Sequence, residues 1–186
     1  MIFVILGTQD KSFIRLLKEI ENLKKKEIIK EEVIVQAGYT KFESKYMKVF
    51  DYISMSEFEE YITKADLIIT HGGAGSILSS LKKNKKVIAV PRLSQYGEHT
   101  NDHQTQIVNM LSKEGYILSC NAVKNLGSVI KESKSFKPRK YIPNNKKMLD
   151  IIENYVTKTD NNNHSLVIIF TVLFIIFLIL FLIIKI

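Results

Sequence analysis

One cysteine, Cys120, is all that 186 residues offer, so an internal disulfide is excluded and the chain suits a reducing compartment. Nothing like a signal peptide opens the sequence, which starts with the short apolar run Ile2–Leu6. Internal repeats are absent, which sets repeat architectures aside. Long hydrophobic runs are absent too, until the C-terminal end, where every residue from Leu166 to Ile184 except Thr171 is apolar. That run of about 19 residues would make a helix of roughly 28 Å, close to the hydrocarbon thickness of a bilayer. A buried core helix rarely stays apolar all round for five turns. A transmembrane helix is therefore expected at 165–184, joined by a polar, flexible linker at 158–164 containing Asn161-Asn162-Asn163. The remaining domain, 1–157, is long enough for a single core.

Positive charge is plentiful: the formal net charge is +8, and Lys185 is the only charge beyond His164. A basic domain tethered to a membrane is drawn to anionic headgroups or to phosphorylated ligands. The clusters Lys24-Lys25-Lys26, Lys82-Lys83 and Lys85-Lys86 fall at expected helix ends, where cations favour the helix dipole. They are no argument for a nucleic-acid partner.

Before the anchor, short apolar strands alternate with helical patterns. Ile2–Leu6 is followed by Gly7-Thr8 and the helical spacing Phe13, Leu16, Leu17, Ile20, Leu23. Val33–Gln36 and the weaker Val49–Ile53 read as further strands, and Ser56-Glu57-Phe58-Glu59 has capping-box form, opening a helix to about Lys64. Strands follow at Leu67–Thr70, at Val87–Val90 before Pro91, and at Tyr116–Leu118. Helices are expected over Asn101–Lys113, Asn125–Glu132 and Asn144–Val156. Continuous apolar strands separated by helices predict an α/β fold with a mostly parallel sheet covered on both faces.

In such folds ligands bind beyond the carboxyl ends of the strands. There lies His71-Gly72-Gly73-Ala74-Gly75-Ser76, between the strand Leu67–Thr70 and a helix running to Leu81. Glycines admit a ligand close to the backbone, and the free N–H groups of a first helical turn form an anion site, to which Ser76 adds a hydroxyl. The loop has neither the Gly-Lys-Ser/Thr of a Walker loop nor the third glycine of a dinucleotide fingerprint. A tight helix-on-strand turn with no ligand is the plainer reading. The loop after Val90 is crowded with polar groups from Glu98 to Gln104, a density suited to the hydroxyls of a sugar. His99, Asp102 and His103 also have an i, i+3, i+4 spacing compatible with zinc, but neither a cysteine nor a further histidine accompanies them, and no metal is expected. A solvated helix start remains the alternative.

Phe3–Gln9, Ala65–Ser76 and Val90-Pro91-Arg92 through Asp102-His103-Gln104 together resemble the donor-binding domain of MurG-like glycosyltransferases. The likeness is closer to small bacterial PssE-like (EpsF-like) polysaccharide transferase subunits. These are in turn similar to the donor-binding subunit of the two-part transferase that adds the second N-acetylglucosamine in N-glycan assembly. The resemblance covers roughly 1–155 and implies the C-terminal, Rossmann-like half of a GT-B fold. It implies that His71, Gly72, Gly73, Ala74, Gly75 and Ser76 hold a nucleotide diphosphate and that Asn101, Asp102 and Gln104 face the donor sugar. Gly7 and Thr8 would lie beside the cleft, and Glu98 and His99 belong to the same pattern without a role. Where MurG-like enzymes carry a ribose-binding glutamate, this chain has Ser79.

A GT-B enzyme reacts between two Rossmann-like domains, so a second polypeptide is expected to supply the acceptor half: a membrane-associated, PssD/EpsE-like subunit presenting a lipid-linked saccharide. Inversion needs a general base and charge stabilisation for departing UDP. The loop amides and Arg92 are candidates for the latter. His71, His99 and Asp102 are candidates for the base, which the partner can equally carry. No cofactor is implied. The expected function is donor binding in an inverting, UDP-sugar-dependent hexosyltransferase of exopolysaccharide or capsule assembly, with the domain on the cytoplasmic side. A non-catalytic UDP-sugar-binding scaffold is the alternative.

Overall fold

A computed structural model describes residues 1–143, which include the first of the two compact units of the chain, Met1–Ile142. The helix expected at Asn144–Val156, the linker and the apolar run Leu166–Ile184 lie outside the described residues. Among the described residues no helix is long and apolar enough to cross a membrane.

Six strands form one parallel sheet: β1 (Ile2–Ile5), β2 (Val33–Gln36), β3 (Lys48–Phe50), β4 (Leu67–His71), β5 (Lys86–Val90) and β6 (Leu118–Ser119). Their order is β3-β2-β1-β4-β5-β6. The chain builds outward from β1 to β3, then crosses back to β4 and builds the other way. The sequence reverses direction between β1 and β4, and the turns leaving these neighbours diverge to opposite faces.

Strand alternation divides the core in two. Ile2, Val4 and Leu6 point to the face covered by α1 (Ile14–Lys25) and α5 (Leu126–Ser135), where Leu16, Leu17, Ile20 and Ile130 pack. Phe3 and Ile5 point to the face of α2 (Met55–Lys64), α3 (Ala74–Lys82) and α4 (His103–Lys113), meeting Ile62, Ile77, Leu81 and Val108. Central strands buried on both sides need continuous apolar runs, as Ile2–Leu6 and Leu67–Ile69 are.

Several boundaries differ from the sequence expectation. Two capping boxes overlap, Ser54-x-x-Glu57 and Ser56-x-x-Glu59, and the chain uses the first. The Ser54 hydroxyl accepts from Glu57 N–H and the Glu57 carboxylate accepts from Ser54 N–H, so Ser54 is the cap and α2 starts at Met55, one residue before Ser56. Helix α4 starts at His103 rather than Asn101, because Asp102 Oδ1 turns back to accept from Ser94 N–H at 2.7 Å. Strand β3 ends at Phe50, whose carbonyl and that of Asp51 accept from Ala37 and Gly38 as the two strands part. Tyr116 closes the end of α4 by donating to Leu111 O, which moves β6 to Leu118.

Candidate functional site

The carboxyl ends of β1, β2 and β4 open into a cleft of about 450 Å3. Of the residues expected at the site, Gly7, Thr8, His71, Gly73, Gly75, Ser76 and Ser79 line it. One wall is apolar, formed by Ile53, Met55 and Phe58 with Tyr52; Gln36 lies at the base. Sequence reasoning missed this wall. The one visible signal was Gln36, a polar residue ending an otherwise apolar strand; its amide donates to Gly7 O and Asp51 O, tying the turns after β1 and β3 together.

The opposite end is the start of α3. Gly73 is its N-cap without a side-chain cap, so the N–H groups of Ala74, Gly75 and Ser76 have no helical partners. The glycines divide the work. A Cβ on Gly72 would come within 2.7 Å of Gln104 Cβ, so Gly72 is small to let α4 pack. A Cβ on Gly73 would meet His71 Nε2 at 2.3 Å, and one on Gly7, at φ +76°, would meet His71 Cε1 at 2.7 Å. Both therefore make room for the imidazole. Gly75 has nothing within 4 Å and opens onto the cleft.

His71 is held between Gly7 and Gly73 with Nδ1 at 3.4 Å from Ile5 O and 3.3 Å from Thr70 Oγ1. The Thr70 hydroxyl itself donates to Ile5 O. The tautomer consistent with these contacts carries its proton on Nδ1 and leaves Nε2 as an acceptor. Burial, then the nearby Arg92 guanidinium, lower its pKa to about 4, so the ring is neutral at physiological pH.

The second expected cluster lies outside this cleft. Arg92, expected to face the leaving diphosphate, is 1 % exposed and turned inward. Its guanidinium donates to Leu6 O, Lys11 O and Glu98 O and lies 5.1 Å from the Phe13 ring centroid. Glu98 is 3 % exposed and accepts from Arg15 Nε and Nη2 and from Leu93 N–H. Gln104 is also buried, its Oε1 accepting from Arg92 N–H at 3.1 Å. These three residues brace the loop from inside. Buried, absent from the cleft lining and bonded to three carbonyls, the Arg92 guanidinium is not presented to a diphosphate, which corrects the direct-contact expectation.

His99, Asn101, Asp102 and His103 stay toward solvent. The His99 and His103 rings meet edge to face at 4.8 Å, and Asn101 bonds His103. Asp102 is kept ionised by the Ser94 N–H. Among the described residues no three His, Cys, Asp or Glu side chains converge as a metal-holding group.

Comparison with known proteins identifies a family and related folds. Residues 1–158 match the glycosyltransferase family 28 C-terminal domain. The human UDP-N-acetylglucosamine transferase subunit ALG13 is 40% identical over 62 residues, 33% of this chain and 5% of that protein. Its Saccharomyces cerevisiae counterpart is 41% identical over 56 residues, 30% of this chain and 26% of that one. The chain thus spans well under two thirds of either relative. The solution structure of ALG13 shares the fold with a TM-score of 0.54 at 21% identity, covering 81% of this chain and 93% of that one. The glycotransferase of kitacinnamycin aligns with a TM-score of 0.52 at 14% identity, over 72% and 34%. With the family match running through every element of the sheet and both loops of the site, the chain belongs to the glycosyltransferase family 28 C-terminal domain family.

Proposed function

We propose that this chain is the donor-binding subunit of a two-component, inverting glycosyltransferase that takes a sugar from a UDP-sugar. The observation that carries the reading is the cleft itself. An apolar wall (Ile53, Met55, Phe58) faces the unpaired amides at the start of α3, matching a ligand with a flat base at one end and a diphosphate at the other. Ser79, one turn along α3 from Ser76, lines the same cleft, and in this reading its hydroxyl meets the ribose. The relatives' name, UDP-N-acetylglucosamine transferase subunit, favours N-acetylglucosamine as the sugar and a second subunit as the partner.

In the reaction, negative charge develops on the departing diphosphate. The Ala74, Gly75 and Ser76 amides and the α3 dipole are positioned to stabilise it. No cofactor or metal is called on. A base is needed at the acceptor hydroxyl; of this chain's candidates, His71 is held by Ile5 O and Thr70, Asp102 accepts from Ser94 N–H and His99 packs on His103. We assign the base to the acceptor-domain partner and to His71 a hydrogen bond accepted at Nε2.

The finer assignment is to bacterial exopolysaccharide or capsule assembly, with a lipid-linked saccharide as acceptor. In this reading the apolar run Leu166–Ile184 anchors the chain and the domain faces the cytoplasm, where UDP-sugars are. The anchor keeps donor and lipid-linked acceptor in one surface layer at high effective concentration. Calorimetric titration of the full chain in detergent with UDP, ADP and UDP-N-acetylglucosamine tests the core of this. Selective binding of the uridine nucleotides is expected; no binding, or equal affinity for ADP, would sink the donor-binding reading.

A further inference from the structure

We infer that Arg15, Glu98 and Arg92 form a positioning device for the donor sugar, acting through the loop 93–104 without touching the ligand. The inference rests on the donor-binding function above. Three observations carry it.

The first is connectivity. Glu98 has its side chain 4 % exposed and its carboxylate clasped by Arg15 from α1, with Oε2 at 2.7 Å from Arg15 Nη2. The same oxygen accepts from Leu93 N–H, which closes the loop on itself. Arg92 ties the loop at Glu98 O to Leu6 O and Lys11 O, the two sides of the Gly7–Asp10 turn that lines the cleft. One buried ionic network therefore fixes the first site loop relative to the second.

The second is stacking. Arg15 lies 4.6 Å from the Tyr96 ring centroid and 5.3 Å from that of Phe13, and Arg92 lies on the same Phe13. The Phe13 N–H donates to the fully buried Thr40 hydroxyl. Loop, helix α1 and the β2 turn are locked into one layer.

The third is where the loop ends. Gln104 accepts from Arg92 N–H and packs on Gly72, between His71 and Gly73, both of which line the cleft. The half-buried His99 and the exposed Asn101 and Asp102 sit between the two anchors, Glu98 and Gln104. Their position beside the cleft is thus set by groups that do not line it. Charges this deeply buried are costly unless compensated, and here the Arg15–Glu98 ion pair and the three carbonyls on Arg92 specify one loop conformation. An isolated polar loop of this length would otherwise sample many.

Two variants of the full chain in detergent test this, read by calorimetry and by amide hydrogen exchange. Glu98→Gln removes the charge at constant shape; Arg15→Gln cuts the network at its partly exposed end, 22 % accessible, should the first not fold. The device predicts UDP affinity within about twofold of the unmodified chain, UDP-N-acetylglucosamine affinity lower by roughly fivefold or more, and exchange over 93–102 faster by about tenfold while β1 and β4 amides are unchanged. Arg92→Lys keeps a charge but cannot span three carbonyls, and it should not rescue. Equal losses for both ligands, or unchanged loop exchange with weakened sugar-nucleotide binding, would overturn the inference. If the unmodified chain bound neither ligand, the donor-binding function would fall and this inference with it. Binding with unselective loss would overturn the inference alone.

Discussion

At the residue scale, the glycine loop shows how one motif serves two ends. Gly72 and Gly73 are small because Gln104 and His71 occupy the space beside them, whereas Gly75 faces open cleft. Gly75→Val should therefore fold with a melting temperature near that of the unmodified chain yet lose most UDP binding by calorimetry. A folded Gly75→Val chain of unchanged UDP affinity would remove the loop from the site. His71 makes a separate prediction. Its folded pKa of about 4 lies below the unfolded value of 6.5, so unfolding takes up a proton between these two pH values. Its contribution to stability is complete above pH 6.5 and declines as pH falls towards 4, by about 1.4 kcal/mol per pH unit at most. Urea midpoints measured from pH 7 to pH 4 should fall more steeply for the unmodified chain than for His71→Gln.

At the scale of elements, helix starts and loop braces separate stability from binding. Ser54→Ala removes the hydroxyl that accepts from Glu57 N–H, one half of the α2 capping box, and should lower stability by on the order of 1 kcal/mol in denaturant titration. Ser54 does not line the cleft, so UDP affinity should be unchanged. Gln104→Ala leaves the buried Arg92 N–H without its acceptor and should cost about 1–3 kcal/mol. A loss of stability is the expected signature of a brace. Gln104→Ala of native stability with weakened UDP-sugar binding would instead place the amide at the sugar. The two overlapping capping boxes also show the limit of motif reading, since both fit the pattern and the chain forms the hydrogen bonds of only one.

At the scale of the whole molecule, the described residues form one Rossmann-like parallel sheet with a cleft at its carboxyl edge, and the proposal assigns the acceptor half to a partner. Purified alone, the chain should bind UDP and transfer no sugar until an acceptor-domain partner is added; robust turnover by the single chain would overturn the two-subunit proposal. Orientation is the companion test. Added protease should spare the domain in intact spheroplasts and digest it in lysed ones. Digestion in intact cells would put the domain on the wrong side of the membrane for its donor.

Local sequence was sufficient for what depends on local chemistry. The strands Val33–Gln36 and Leu67–Thr70 are legible because burial on both faces demands continuous apolar runs, and the glycine-loop end of the cleft because a strand, glycines and a helix start are contiguous in the chain. The apolar wall was not legible. Ile53, Met55 and Phe58 reach Gly73 and Ser76 only because β1 sits between β2 and β4, a pairing with no local signature. Arg92 and Glu98 carried the same polarity in sequence as the exposed Asn101 and Asp102. What makes them internal is Arg15, 83 positions from Glu98, and the Leu6 carbonyl, 86 from Arg92. Polarity is a property of a residue, but burial is a property of its neighbours, and those are set only when the sheet closes.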